Sequence, residues 1–580
     1  MSKLRQSPAA SGDLIAVIVV IALITPQTRD SQGRLHAETV APAGRFTQQG
    51  SAGSEHSADP CEHVPPGHAY GRTKHCPPQG SSAGIARGDF NGDGVGDLAV
   101  GVPLEDVGSV TDAGAVNVIY GSVTGLTATG NQFWTQDSSD QFGNVLDQAE
   151  EGDQFGIALA AGDFDGDGFS DLAIGVRGED IDVGLVRTRV DAGAVNVLYG
   201  SASGLTAANN QFWTQDSPDI LDLTERGDLF GFSLGWGDFN GDSIGDLVVG
   251  VPFEDVGTIA DAGAINVIYG SGSGLSATGN QFWTEDSVDV FGDDIHGIAE
   301  PTDRFGAVLT AGDFNGNGVS DLAIGVIGES NDATQEGAVH IIYGFGNGLL
   351  GLGDQLFDNP FGGDQTLDQF GGALAAGDFN GDGFADLAIG APLKEVGSID
   401  QAGAVVIEYG TSTGLLRTGE QFWTQDSPGV LDAAEAFDEF GFALAVGDFN
   451  GDGKKDLAIG VPFEDNEINQ LVDLGAVNIL YGSSSGLTGT GGALLTLAAG
   501  SDTLFGRALT SWNFGNGAQA DLAIGMPFRD LGSITDAGAV SVLYGSTSGL
   551  TNTGSQLWTQ DSPGILDTAE AGDQFGRALY

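Results

Sequence analysis

The chain has 580 residues, 80 of them acidic and 20 basic, for a formal net charge of −60, and it contains only two cysteines. That balance excludes a protein that grips nucleic-acid backbones, which recruit lysine and arginine against phosphate. Glycine (96) and proline (18) together make about a fifth of the chain, below the roughly 25 to 30 per cent of low-complexity sequences. The glycines also recur in register with a repeat, so they mark turns.

Residues 1–30 carry Lys3 and Arg5, then the apolar run LIAVIVVIALIT from Leu14 to Thr25. A basic start followed by so short an apolar segment fits a secretory signal better than a membrane span. An uncleaved N-terminal anchor is the alternative, and membrane contact is expected through this segment alone. Residues 31–80 are polar, rich in Gly, Ser, Pro and His, and read as a flexible linker. Cys61 and Cys76 lie in it, and an exterior location permits one disulfide between them. His63, His68 and His75 stand between these cysteines without the repeated CxxC spacing of a zinc site.

From residue 81 to 580 the chain is one repeat array. A nonapeptide, DFNGDGVGD from Asp89, returns at Asp163, Asp238, Asp313, Asp378 and Asp448, and as a degenerate copy, NFGNGAQAD, at Asn513. Oxygen-bearing side chains occupy positions one, three, five and nine, with glycine usually at four and six. Alternate oxygens converging in a tight turn suit a hard cation that takes six to eight oxygen ligands, so each of the six complete copies is read as a calcium loop. The ligand sets are Asp89, Asn91, Asp93 and Asp97; Asp163, Asp165, Asp167 and Asp171; Asp238, Asn240, Asp242 and Asp246; Asp313, Asn315, Asn317 and Asp321; Asp378, Asn380, Asp382 and Asp386; and Asp448, Asn450, Asp452 and Asp456. The backbone carbonyl at position seven adds Val95, Phe169, Ile244, Val319, Phe384 and Lys454. The loop begins like an EF-hand but lacks the glutamate at position twelve. LAVG or LAIG follows instead, which places the metal in a strand-to-strand hairpin.

The loops hold three, four, three, two, three and three carboxylates, and six calcium ions would bring −60 to −48. The second loop is the most highly charged. The fourth, with Asp313 and Asp321 as its only acids, is expected to empty first on chelation. The degenerate copy keeps Asp521 and is expected to bind no metal.

Successive loops start 74, 75, 75, 65, 70 and 65 residues apart. Each unit carries four short apolar runs, around ALAAG, LAIGV, AVNVLYG and QFWT, separated by Gly/Asp/Ser turns and without helical periodicity. Four strands in each of seven units predict an all-β, seven-bladed β-propeller of four-stranded antiparallel blades. A parallel β-helix would have much shorter rungs. Both 65-residue spacings coincide with loss of the last run, which is replaced by QLFDNPFG in the fourth unit and GALLTLAAG in the sixth.

The pairs Phe155-Gly156, Phe230-Gly231, Phe305-Gly306, Phe370-Gly371, Phe440-Gly441 and Phe505-Gly506 each precede a nonapeptide, followed by a GAV such as Gly193-Ala194-Val195 in all but the third unit, which has GAI. This pattern resembles the FG-GAP repeat of the integrin alpha-chain propeller. The resemblance implies a calcium-bearing propeller outside the cell that serves adhesion or ligand recognition. Such repeats also accompany hydrolases such as glycosylphosphatidylinositol phospholipases, so an accessory domain of an extracellular hydrolase is an alternative. The first unit has Ser81-Ser82 where FG belongs, while DQFGRALY ends the sequence. Either this terminal strand closes the ring or it opens an eighth unit.

In alternating meanders the nonapeptides and the SGL turns share one face. The opposite face carries the longer connections, and there a partner, an extracellular protein or a glycan, is expected. Arg177, Arg187 and Arg189 cluster in one such connection. Trp134, Trp213, Trp283, Trp423 and Trp558 recur once per long unit, either as inter-blade packing or as lectin-like stacking surfaces. HExxH and P-loop motifs are absent and the array has two histidines, His296 and His340, so a non-catalytic role is expected.

Overall fold

The computed structural model describes residues 88–182, 188–331, 334–361, 368–465, 473–497 and 503–580. The signal-like segment, the linker with Cys61 and Cys76, residues 81–87 and Arg187 lie outside the described residues. Among those described there is no helix. Seven four-stranded antiparallel sheets succeed one another round a ring, with two extra two-stranded hairpins in the connections.

The second unit serves as the pattern. Its strands are Phe155–Gly162, Asp171–Val176, Ala194–Tyr199 and Thr206–Trp213, hydrogen-bonded in that order. The second and third strands are buried along their whole length because blades pack on both of their faces, and so they read as unbroken apolar runs. The fourth strand is outermost and mixes buried with exposed positions. In the fourth and sixth units this strand is retained, as Gly348–Asp358 and Gly486–Thr496. The expected loss of the segment is therefore corrected. Only its QFWT signature is gone, and the missing length comes from a shorter connection, Phe357 to Phe370 and Leu495 to Phe505.

The two halves of the repeat signature meet across blade junctions. Gly114 pairs with Phe155, Gly193 with Phe230, Gly263 with Phe305, Gly403 with Phe440 and Gly538 with Phe575 in short parallel bridges. A Cβ on Gly114 would lie 2.4 Å from the Phe155 carbonyl oxygen, so only glycine lets the two backbones approach. The phenylalanines are fully buried there. Further out, Tyr120 Oη donates to Gln132 Oε1, and Gln132 Nε2 donates to the Leu205 carbonyl of the next blade at 2.8 Å. The same belt recurs at Tyr199, Tyr269, Tyr343, Tyr409 and Tyr544 with their glutamines.

Ring closure takes the first of the two expected forms. Ala578–Leu579 pairs with Leu98–Val102 as the innermost strand of the first blade. Tyr580 exchanges two backbone hydrogen bonds with Ala99, at 2.9 and 3.0 Å, and Phe575 is fully buried. The innermost strands surround an axial cavity of about 640 Å³, lined in part by Leu309, Ala375, Ala445 and Tyr580.

Candidate metal centre

From the second blade on, each nonapeptide connects the first strand of a blade to the second, as expected; in the first blade it leads into the second strand, Leu98–Val102, beside the C-terminal Ala578–Leu579. In the first loop Asp89 accepts the Asp93 and Gly94 amides at 3.1 and 2.8 Å, Asn91 Oδ1 accepts the Asp93 amide, and Asp93 Oδ1 accepts the Val95 amide. This tight turn requires a positive φ at position six, met by Gly94, Gly168, Gly318, Gly383 and Gly453. In the third loop Ser243 takes it at φ 70°.

The ninth position does something the sequence reading did not anticipate. In the second loop Asp171 is fully buried and accepts the Phe164 amide at 2.7 Å and the Gly200 amide at 2.8 Å. It thereby ties the nonapeptide to the turn after the third strand. The degenerate seventh loop keeps the same clamp, with Phe514 N to Asp521 at 2.8 Å and Gly545 N to Asp521 at 2.8 Å. Asp521 survives there because backbone amides need its oxygens. Burial is the chief cause that pushes the Asp97 and Asp246 carboxyls up to about 8 and those of Asp321, Asp386, Asp456 and Asp521 to about 7.

The loops also join to one another. The carbonyl of position one accepts the amide of position eight in the next loop: Asp89 from Ser170, Asp163 from Gly245, Asp238 from Ser320, Asp313 from Ala385, Asp378 from Lys455, Asp448 from Ala520 and Asn513 from Gly96, all at 2.8–3.0 Å. The circuit is unbroken among the described residues, so whatever rigidifies one hairpin also braces its neighbour.

The donor sets fit a hard cation unequally. In the second loop one oxygen each from Asp163, Asp165 and Asp167 lies within 4.8 Å of the others, a separation that one ion with oxygens at ~2.4 Å can bridge. In the fifth loop Asn380 Oδ1 is buried and accepts no hydrogen bond, leaving a position-three oxygen free to ligate. The fourth loop satisfies itself further: Asn315 Nδ2 donates to Asp321 at 3.2 Å and Asn317 Nδ2 to the Gly344 carbonyl at 2.9 Å.

Of the three arginines, Arg177 and Arg189 lie among the described residues. Arg177 Nε donates to Gln154 Oε1 at 2.8 Å, and Arg189 sits in a small hairpin, Ile181–Asp182 with Thr188–Arg189. All five repeated tryptophans are buried. They pack between blades and offer no open stacking surface. His296 and His340 each contact a carboxylate, Asp354 at 2.9 Å and Glu285 at 2.8 Å. Most of the exposed large apolar side chains lie in the connections from the fourth strand of one blade to the first of the next, which fold back along the next blade's outer strand, where Asp140 accepts the Ala207 amide and Asp289 the Gly351 amide. Phe142, Leu223, Val290, Phe291, Ile298 and Phe437 are all more than half exposed.

The geometry defines an all-β, seven-bladed propeller with an acidic nonapeptide hairpin in six of its blades, and the chain is an FG-GAP repeat protein. The FG-GAP repeat model matches residues 83–119, 155–198, 230–268, 305–342, 370–407 and 440–480. The chain is 36% identical over 171 residues to the phosphatidylinositol-glycan-specific phospholipase D of Rattus norvegicus and 31% identical over 256 residues to integrin alpha pat-2 of Caenorhabditis elegans. Those alignments cover 29% and 41% of this chain but only 19% and 18% of the relatives' lengths. A solved rhamnogalacturonan lyase from Bacillus licheniformis aligns over 63% of both chains at 11% identity and a TM-score of 0.32, too distant a likeness to bear on function.

Proposed function

We propose that the chain is a calcium-stabilised, non-catalytic recognition module that works outside the cell and binds a protein partner on the connections between successive blades. The observation that carries this reading is the division of labour between two sets of loops. The nonapeptides form a closed circuit of hairpins, while the connections between blades, which differ from one to the next, concentrate exposed apolar side chains such as Val290 and Phe291. Exposed apolar groups rimmed by polar ones mark interaction surfaces. Calcium at ten times its dissociation constant stabilises a hairpin by about 1.4 kcal/mol. The loop-to-loop bonds spread that effect round the ring. The likeness to phospholipase D supports a second reading, an accessory domain that positions a hydrolase.

The test pairs chelation with a surface variant. Wild-type protein and a Val290→Ser/Phe291→Ser variant are presented to immobilised extracellular-matrix proteins in calcium and in EDTA. Binding by the wild type in calcium that is lost in the variant, with unchanged melting, supports the reading. Equal binding by both proteins, or binding indifferent to calcium removal, overturns it.

A further inference from the structure

A second acidic feature sits at the blade junctions, at the end of the strands remote from the nonapeptides. Four of the seven junctions repeat one trio: a glutamine two residues past the fourth-strand tryptophan, an aspartate two residues before the FG phenylalanine, and a glutamate three residues past the second strand. In each, the glutamine Nε2 donates to the glutamate at 2.6–2.8 Å, as Gln136 does to Glu179. An amide thus supplies the hydrogen-bond donor that a buried carboxylate needs.

The junction between the third and fourth blades breaks this rule. Glu285 replaces the glutamine, so three carboxylates, Glu285, Asp303 and Glu329, face one another. One oxygen from each lies within 4.8 Å of the others. Glu285 and Asp303 are 2% and 0% exposed, and Glu285 Oε2, Asp303 Oδ1 and Glu329 Oε2 accept no hydrogen bond. His340 Nε2 contacts only the other Glu285 oxygen, at 2.8 Å. Unpaired carboxylate oxygens this deeply buried are costly unless something positive stands among them.

The next junction round the ring supplies that positive charge from the chain itself. Lys394 occupies the position of Glu329, and its ammonium lies 3.0 Å from Asp368, the counterpart of Asp303. Where the protein carries its own cation the trio is satisfied. Where it carries three acids, a cation from solution would fill the same role. We infer that this junction binds one divalent cation of calcium's class between Glu285, Asp303 and Glu329. An all-oxygen carboxylate set within 4.8 Å suits a hard ion with oxygens at ~2.4 Å. The site shares no residue with the nonapeptide loops and stands apart from whether they are filled.

The experiment counts ions. Full-length protein is stripped with chelator, dialysed against calcium chloride, and its bound calcium measured by native mass spectrometry. Two variants copy junctions that the chain already tolerates. Glu285→Gln restores the amide found at four junctions and keeps an acceptor for His340, and Glu329→Lys installs the lysine of the neighbouring junction. Each variant is expected to hold one calcium fewer than wild type, whatever the nonapeptides contribute. A wild type that binds at this site alone would fall from one ion to none, which separates this site from the loops. Equal counts in wild type and both folded variants across micromolar to 10 mM calcium overturn the inference and leave protons to neutralise the trio.

Discussion

Two roles overlap in each nonapeptide, and substitution in the presence and absence of calcium separates them. Asp171 is fully buried and both its oxygens take backbone amides, at 2.7 and 2.8 Å. Hydrogen bonds to a charged acceptor contribute roughly 1.5–3 kcal/mol each. Burial raises the Asp171 carboxyl well above its usual range, which offsets part of that gain, so the low end applies. Asp171→Ala is therefore expected to cost about 3 kcal/mol in chelator, with two amides left unpaired. Asp165 lies nearer the loop tip, where its bond is a 3.1 Å contact from the Asp167 amide. Asp165→Ala should be within about 0.5 kcal/mol of neutral in chelator. In calcium at ten times the dissociation constant it should cost about 1.4 kcal/mol, the whole ligand-linked stabilisation of one site. Asp521→Ala, in the loop without a ligand set, should cost about 3 kcal/mol in both buffers. Equilibrium urea denaturation of the three variants, with and without calcium, reads these differences. A neutral Asp521→Ala, or an Asp171→Ala cost that vanishes on chelation, would refute the clamp and make position nine a ligand alone.

Two further outcomes follow from buried groups. Trp213→Ala removes an inter-blade side chain that is only 9% exposed, and a loss of about 3–5 kcal/mol is expected in urea denaturation; an unchanged midpoint would restore the tryptophan to a surface role. Burial pushes the Glu179 carboxyl up to about 10 and that of Glu464 to about 9, from an ordinary value of 4.5. The folded state therefore holds these protons more tightly than the unfolded chain. Their stabilisation is complete below the ordinary value and is lost as pH rises through the folded one. In chelator the urea midpoint should fall steadily between pH 6 and pH 9, and a flat or rising profile contradicts the burial of these acids.

Much of the fold was legible in the sequence because its signals are local and repeated. The position-six glycines satisfy a positive φ within one turn, and the LAIG runs answer to burial on both faces of a central strand. Even ring closure was readable as an alternative, from DQFGRALY standing where the first unit lacked its FG. The fourth strands of the fourth and sixth units were misjudged because strand formation there depends on backbone pairing with the third strand, as in Val339 with Phe357 and Val477 with Leu495, and not on the QFWT side chains.

The sequence by itself determined the unit, its four strands, its acidic turn and the number of repeats, since each follows from residues a few positions apart. Tertiary structure decided which groups meet across blades. Asn513 of the last blade accepts from Gly96 of the first, and Glu285, Asp303 and Glu329 come from three separate segments. Such contacts depend on how adjacent sheets seat against each other, and no spacing along the chain encodes that geometry.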